Sequence, residues 1–225
     1  ELGADGHSLR KTVPGLQRDV GGGAPGAAVD LIAEGFDALG VREYLVELGG
    51  EVRARGHSPR GRTWRVAVEA PLGGARKPYA LVELDGLAIS TSGDYRDFRE
   101  LKGVRVSHTI DPRSGAPVSH GLASVSVVHP SAALADAYST ALMVLGPEAG
   151  MALALRLGLA ALFIERSADG RTNPMVNGGA IATTSLVPGA TEEAKWQFIY
   201  DGLCRFAGRK LALNEEVYAS ALDTN

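Results

Sequence analysis

Apolar and polar positions follow two rhythms along the chain, and the places where the rhythm changes outline the fold. Over "PGAAVDLIAEGFDALG" the apolar positions recur at helical spacing, with Pro25 suited to a first helical position and Gly40 to the end. A short strand, "LQRDV" (16–20), precedes this helix; "YLVEL" (44–48) follows it and closes on Gly49-Gly50. The period then drops to two. "EVRARG", "TWRVAVEA", "YALVELDG" and "LAISTSG" read as successive strands of an antiparallel meander. "SHTIDPRSGAPVSHG" fits neither period. "LASVSVVH" reads as one more strand, and Ser131 as the N-cap of a helix that Gly146-Pro147 breaks. A second helix runs to about Leu157, and "LAALFIE" is the last strand of this part. One β-α-β unit, a meander, a strand, two helices and a strand describe an α+β fold, a mixed or antiparallel sheet with packed helices.

After Gly170 the composition shifts. "RTNPMVNGGAIATTSLVPG" is small, polar and turn-rich, whereas "ATEEAKWQFIYDGLCRFAG" has an amphipathic helical pattern with Thr191 as candidate N-cap. "LNEEVYASALDTN" begins another helix. A boundary is expected near 170, with residues 1–170 as one domain and 171–225 as a helical appendage rather than an independent domain.

Bulk properties remove some function classes. The 225 residues suffice for one good-sized domain or two small ones. A formal net charge of −3 does not suit a nucleic-acid groove, and the densest basic stretch, "RARGHSPRGR", reads as a solvated hairpin loop. Cys204 stands alone, so no internal disulfide is expected. The longest apolar run, 141–164, is interrupted by Pro147, Glu148 and Arg156, so no membrane-spanning helix is expected there. No signal peptide opens the chain, which starts abruptly.

Four stretches carry candidate chemistry. "GGGAPG" satisfies G-x-G-x-x-G through Gly21, Gly23 and Gly26, and Glu47 ends the next strand where a dinucleotide fold places its ribose acid. The absence of a second β-α-β unit weighs against that fold. The turn retains the capacity to offer backbone N–H groups to an anion. Asp136 and Thr140 stand four apart, hence on one helix face. Either that face is exposed and Thr140 bonds its own turn, or the pair supplies oxygens to a hard cation such as Mg²⁺. His108 and His120 flank the turn-rich loop, as functional or merely polar groups. "STSGDY" ends a strand with hydroxyls that bind phosphate or simply turn the chain.

"DVGGGAPGAAVD", "YLVELGG", "WRVAVEAP", "ISTSGDYRDF", "SHTIDPRSGAPV" and "LADAYSTALMVLGPEAG", in this order, resemble the FAD:protein FMN transferases, the ApbE family, over about residues 10–168. The resemblance implies FAD as substrate, Mg²⁺ as cofactor, and transfer of FMN to a Ser or Thr hydroxyl of an acceptor flavoprotein with release of AMP. It implies metal ligation by Asp136, Thr140 and the carbonyl of Gly22, with Ser139 where some members carry an assisting acid. Asp19, Pro25 and Ile110 fall on flavin-nucleotide contacts, and His108 on a histidine that serves as base or positioner for the attacking hydroxyl. Pro25 replaces a Lys or Glu of the family and brings neither charge nor N–H. The family's N-terminal third, which helps enclose the isoalloxazine ring, has no counterpart in the resemblance, so weakened catalysis is an expectation. The alternatives are a nucleotide-binding module without turnover and a glutaminase remnant. The family suggests a periplasmic or other extracytoplasmic location.

Residues 172–225 resemble an internal piece of the serine-dependent glutaminases. Asn177 falls on a substrate-binding asparagine, while Ala221 stands where that family holds glutamine with a glutamate. The family's Ser-x-x-Lys nucleophile lies upstream of this piece, which therefore brings no nucleophile of its own.

Overall fold

A computed structural model of the chain describes residues 10–15, 19–71, 77–95, 98–101, 104–166 and 172–178. Helix α1 (Ala24–Ala38) opens the ordered core, and strands β1 (Tyr44–Leu48) and β2 (Glu51–Arg55) form a hairpin over Gly49-Gly50. Both glycines have positive φ (67° and 104°), the backbone twist that a two-residue hairpin loop between right-twisted strands requires. Among the described residues, strands β3 (Trp64–Glu69) and β4 (Pro78–Leu84) pair only with each other, and β5 (Leu87–Gly93) returns to pair with β2. Two further strand pairs are short: β6 (Phe98–Leu101) with β7 (Val104–Ser107), and β8 (Ile110–Asp111) with β9 (Ala116–Pro117). Strand β10 (Leu122–His129), helix α2 (Ala132–Leu157), β11 (Ala160–Arg166) and β12 (Thr172–Gly178) follow. The main sheet has the order β1-β2-β5-β10-β11-β12, antiparallel at every pairing.

Period-two alternation gives this sheet two apolar faces. Val125 and Val127 of β10 with Ala161 and Phe163 of β11 pack against Leu142, Met143 and Ala154 of α2. Val128, Leu162 and Ile164 point the other way, toward Val68, Val82 and Leu84 of the β3–β4 hairpin. Helix α1 lays Val29 and Ala33 against Tyr44, Val46 and Ala88 on the helical side. Fully burying side chains of this size contributes on the order of 2 kcal/mol each, so the two faces explain the three layers.

Several expectations need correction. Asp19 and Val20 are not in a strand, so α1 is not preceded by a β-strand among the described residues, and β1 runs antiparallel to β2. No dinucleotide-type β-α-β unit results. The meander is also discontinuous: β3–β4 leaves the sheet because its alternating valines and leucines cover the sheet's second face instead of extending its edge. The stretch read as turn-rich after residue 170 contributes β12, in register with β11 from Arg166↔Thr172 to Ala160↔Gly178. The helices expected after Thr191 lie outside the described residues.

Helix α2 breaks where the sequence indicates. Gly146 has φ 82°, and a Cβ there would stand 2.9 Å from the His120 ring. Pro147 has no N–H, which leaves the carbonyl of Met143 without its i−4 donor. The Nε2 of His120 donates to that carbonyl at 2.8 Å, while its Nδ1 accepts from the amide of Leu122 at 3.4 Å. His120 thus closes the helix break. By length and composition α2 is also the one described helix apolar enough to cross a membrane; here its buried residues pack against β5, β10 and β11.

Candidate active site

The two helix N-termini are capped by each other's acids. In α2 the Ala132 and Ala133 amides donate to Oδ1 and Oδ2 of Asp30 on α1, at 2.9 and 3.0 Å, and Ser131 accepts from Leu134 at 3.2 Å. In α1 the Gly26 amide donates to Oδ2 of Asp136 on α2 at 3.0 Å, and the Ala24 and Ala27 amides reach the Val20 and Gly23 carbonyls. Pro25, inside that first turn, is where a missing N–H leaves no orphan donor. Within "GGGAPG" the Gly21 amide is held by Asp19 (2.7 Å), and those of Ala24 and Gly26 are bonded as well.

Asp136 is 3% exposed. Burial raises its carboxyl pKa above the usual range, and the Gly26 amide only partly opposes this. Thr140 lies one turn on, its hydroxyl 3.0 Å from Ser92 Oγ of β5. Gly22 is pressed against it: a Cβ at residue 22 would stand 2.7 Å from Thr140 Oγ1. Ser139 is fully buried, with its hydroxyl donating to the Asp136 carbonyl (3.0 Å) and lying 2.9 Å from Ser92 Oγ and 3.3 Å from Ser90 Oγ. Ser139 therefore ties α2 to β5.

A cavity of about 710 Å³ opens at this point. Its walls include Asp19 and Gly22 from the turn before α1, Asp136 and Thr140 from α2, His108 from the loop before β8, and Ile110 from the start of β8. Six of the sequence-indicated residues thus converge from three separate stretches, with Ser92 and Gly93 of β5 between them. Pro25 and Ser139 stand next to the wall without lining it. Asn177 lies on β12, paired through its backbone with Ala161 and three strands away from β5.

Glu51 is an ionisable wall residue that sequence reasoning missed. Burial raises its pKa, the negative charge of Asp136 raises it further, and the Ser90 hydroxyl, at 3.4 Å, opposes the shift. Its signal in sequence was slight: one acid after the Gly49-Gly50 turn, 85 residues from Asp136, brought close only by the β2–β5 pairing.

The family model of the ApbE family matches residues 1–163. The chain belongs to the ApbE family. An FAD:protein FMN transferase of Escherichia coli is 42% identical over 161 residues, which cover 72% of this chain and 46% of that protein. The crystal structure of the Pseudomonas stutzeri flavinyl transferase ApbE, in its apo form, superposes with a TM-score of 0.64 at 50% identity, over 72% of this chain and 50% of that one. The chain thus spans about half the length of the ApbE relatives it matches. Residues 160–225 match the glutaminase family, and 62 residues are 79% identical to Glutaminase 2 of Yersinia pestis, covering 28% of this chain and 18% of that protein. The two matches overlap on β11. A literal Ser-x-x-Lys does occur, at Ser8–Lys11, but in the ApbE-like part.

Proposed function

We propose that this ApbE-family chain carries the diphosphate-cleaving part of a flavin transferase: FAD binds in the cavity at Asp136, and FMN passes to a Ser or Thr hydroxyl of an acceptor protein. The observation that carries the reading is the convergence of Asp19, Gly22, His108, Ile110, Asp136 and Thr140 on one cavity. The donor set suits a small hard cation, because a nearly buried carboxylate, a hydroxyl and a backbone carbonyl are all oxygen ligands. Asp136, Thr140 and the Gly22 carbonyl would hold Mg²⁺, and the raised pKa of Asp136 reports a carboxylate that a cation would stabilise. When bound, the ion neutralises charge on the diphosphate oxygens.

The acceptor hydroxyl oxygen forms a bond to the FMN phosphorus, the P–O bond to the AMP phosphate breaks, and the hydroxyl proton leaves with His108 as its acceptor or guide. His108 stands exposed on the cavity rim, where an incoming protein reaches it. The C-terminal stretch similar to glutaminases is assigned no ammonia-releasing activity.

The test is to incubate the chain with FAD, Mg²⁺ and an acceptor protein, and to follow AMP and fluorescent covalent adduct. The reading expects both products in equal amounts, and at least a tenfold loss for Thr140→Val, which removes only a hydroxyl ligand. Magnesium-dependent FAD binding with no AMP, unchanged in Thr140→Val, would replace it with a nucleotide-binding module.

A further inference from the structure

Strand β5 is paired unequally on its two sides. Against β10 it is bonded from Ala88 to Gly93; against β2 it is paired only from Leu87 to Ile89. Strand β2 stops there because the chain turns back into β1 at Gly49-Gly50, and the Gly50 amide donates to Glu47 Oε1 at 2.9 Å. Beyond Ile89, no described strand continues along the β2 side of β5.

The groups facing that side follow from strand alternation. The Asp94 amide donates to the Ala123 carbonyl at 3.2 Å, on the β10 side. Backbone directions alternate along an antiparallel strand, so Ser92 and Ser90 also bond toward β10, and Thr91 and Gly93 direct N–H and C=O to the open side. Thr91 and Gly93 line both the Asp136 cavity and a second cavity of about 540 Å³, walled by Val52, Val66 and Val68. The open edge lies between the two.

We infer that the acceptor protein docks as an extended segment, adding an antiparallel strand to β5 at Thr91–Gly93, with its hydroxyl residue directly opposite Ser92. The inference rests on the flavin-transfer reading above. Residues directly opposite in a pair project to the same face, and Ser92 projects toward α2, where its hydroxyl is 3.0 Å from Thr140 Oγ1. A Ser or Thr opposite Ser92 therefore presents its hydroxyl to the Asp136 cavity, while its two neighbours point into the second cavity. Main-chain bonds then supply the affinity, as in other cases where a peptide extends a sheet edge. The register decides which hydroxyl reacts.

The test uses the whole chain and a synthetic peptide of about ten residues centred on the modified threonine of an acceptor protein. Amide exchange is read with and without peptide. The Thr91 and Gly93 amides slow by roughly tenfold or more, as new hydrogen bonds require, while Ser90 and Ser92, already bonded to β10, do not change. A peptide with that threonine replaced by alanine gives the same protection without AMP release. N-methylation of either neighbour of the threonine, whose N–H faces β5, raises KM roughly tenfold, whereas N-methylation of the threonine itself changes it little. Thr91 and Gly93 amides already protected in the free chain, peptide protection elsewhere, absence of peptide binding, or equal effects of all methylations overturns the docking mode. Flavin transfer is scored separately, by AMP release with the intact acceptor protein. Its presence alongside any of these results leaves the flavin-transfer reading standing, and its absence alongside Thr91 and Gly93 protection removes that reading alone.

Discussion

The Asp136 carboxyl caps one helix through its Oδ2 and faces a cavity, and these two roles separate by substitution. Asp136→Asn keeps an oxygen for the Gly26 amide and removes the buried charge; Asp136→Ala removes both. Because the folded pKa is raised, the ionised form weakens folding at neutral pH, and protonation at low pH removes that penalty. Asp136→Asn is therefore expected to raise Tm at pH 7, with the gain fading in acid, while adduct formation falls at least a hundredfold. Thermal melts at pH 7 and pH 4, run beside the transfer assay, check both halves; a lower Tm for the Asn variant would show that the charge supports the fold. Sequence placed Asp136 and Thr140 on one face through their spacing, and the family motifs added Gly22. Glu51 was not legible, because an acid after a turn is ordinary until a sheet brings it beside another acid.

Helices α1 and α2 are held at their N-termini by an exchange of acids, and Asp30 carries one side of it. Burial opposes its ionisation, but the Ala133 and Ala132 amides, the Ser131 hydroxyl and Arg53 (2.6 Å) outweigh burial and hold the carboxyl below the usual range. The contribution is thus fully present above the unfolded carboxyl's pKa of about 3.9, and is lost as pH falls through the lower folded value. Asp30→Ala should cost about 3 kcal/mol at pH 7, since it orphans one buried and one part-buried amide at the start of α2 and a guanidinium. Denaturant titrations at pH 7 and near pH 2 would show the difference between variant and wild type shrinking in acid, and a constant difference would contradict the assignment. At the helix break, His120→Ala leaves the Met143 carbonyl unpaired and should cost about 1–3 kcal/mol while leaving FAD binding intact. Loss of binding in that variant at full stability would return His120 to the site. The break itself was readable from Gly146-Pro147; the histidine that closes it was not, because its partner lies 23 residues away.

At the scale of the molecule, the stretch that matches glutaminases completes the sheet of the ApbE-like part, since β12 covers the edge of β11 along seven register pairs. A chain ending at residue 166 exposes that edge, and a bare edge strand recruits other chains. The shortened chain should melt several degrees lower and elute partly as aggregate in size-exclusion chromatography; an unchanged elution profile and Tm would show the edge to be harmless. The sequence by itself determined the α+β class, the span of most strands, the helix break and the shared face of Asp136 and Thr140, because alternation and glycine and proline constraints act over short distances; the other residues of the cavity wall came from the resemblance to the family's motifs. Only the tertiary structure decided that β3–β4 would cover a sheet face, that two aspartates would cap each other's helices, and that β5 would outrun β2. Each of those depends on which distant segments meet, and the burial and pairing that bring them together leave no local period to read.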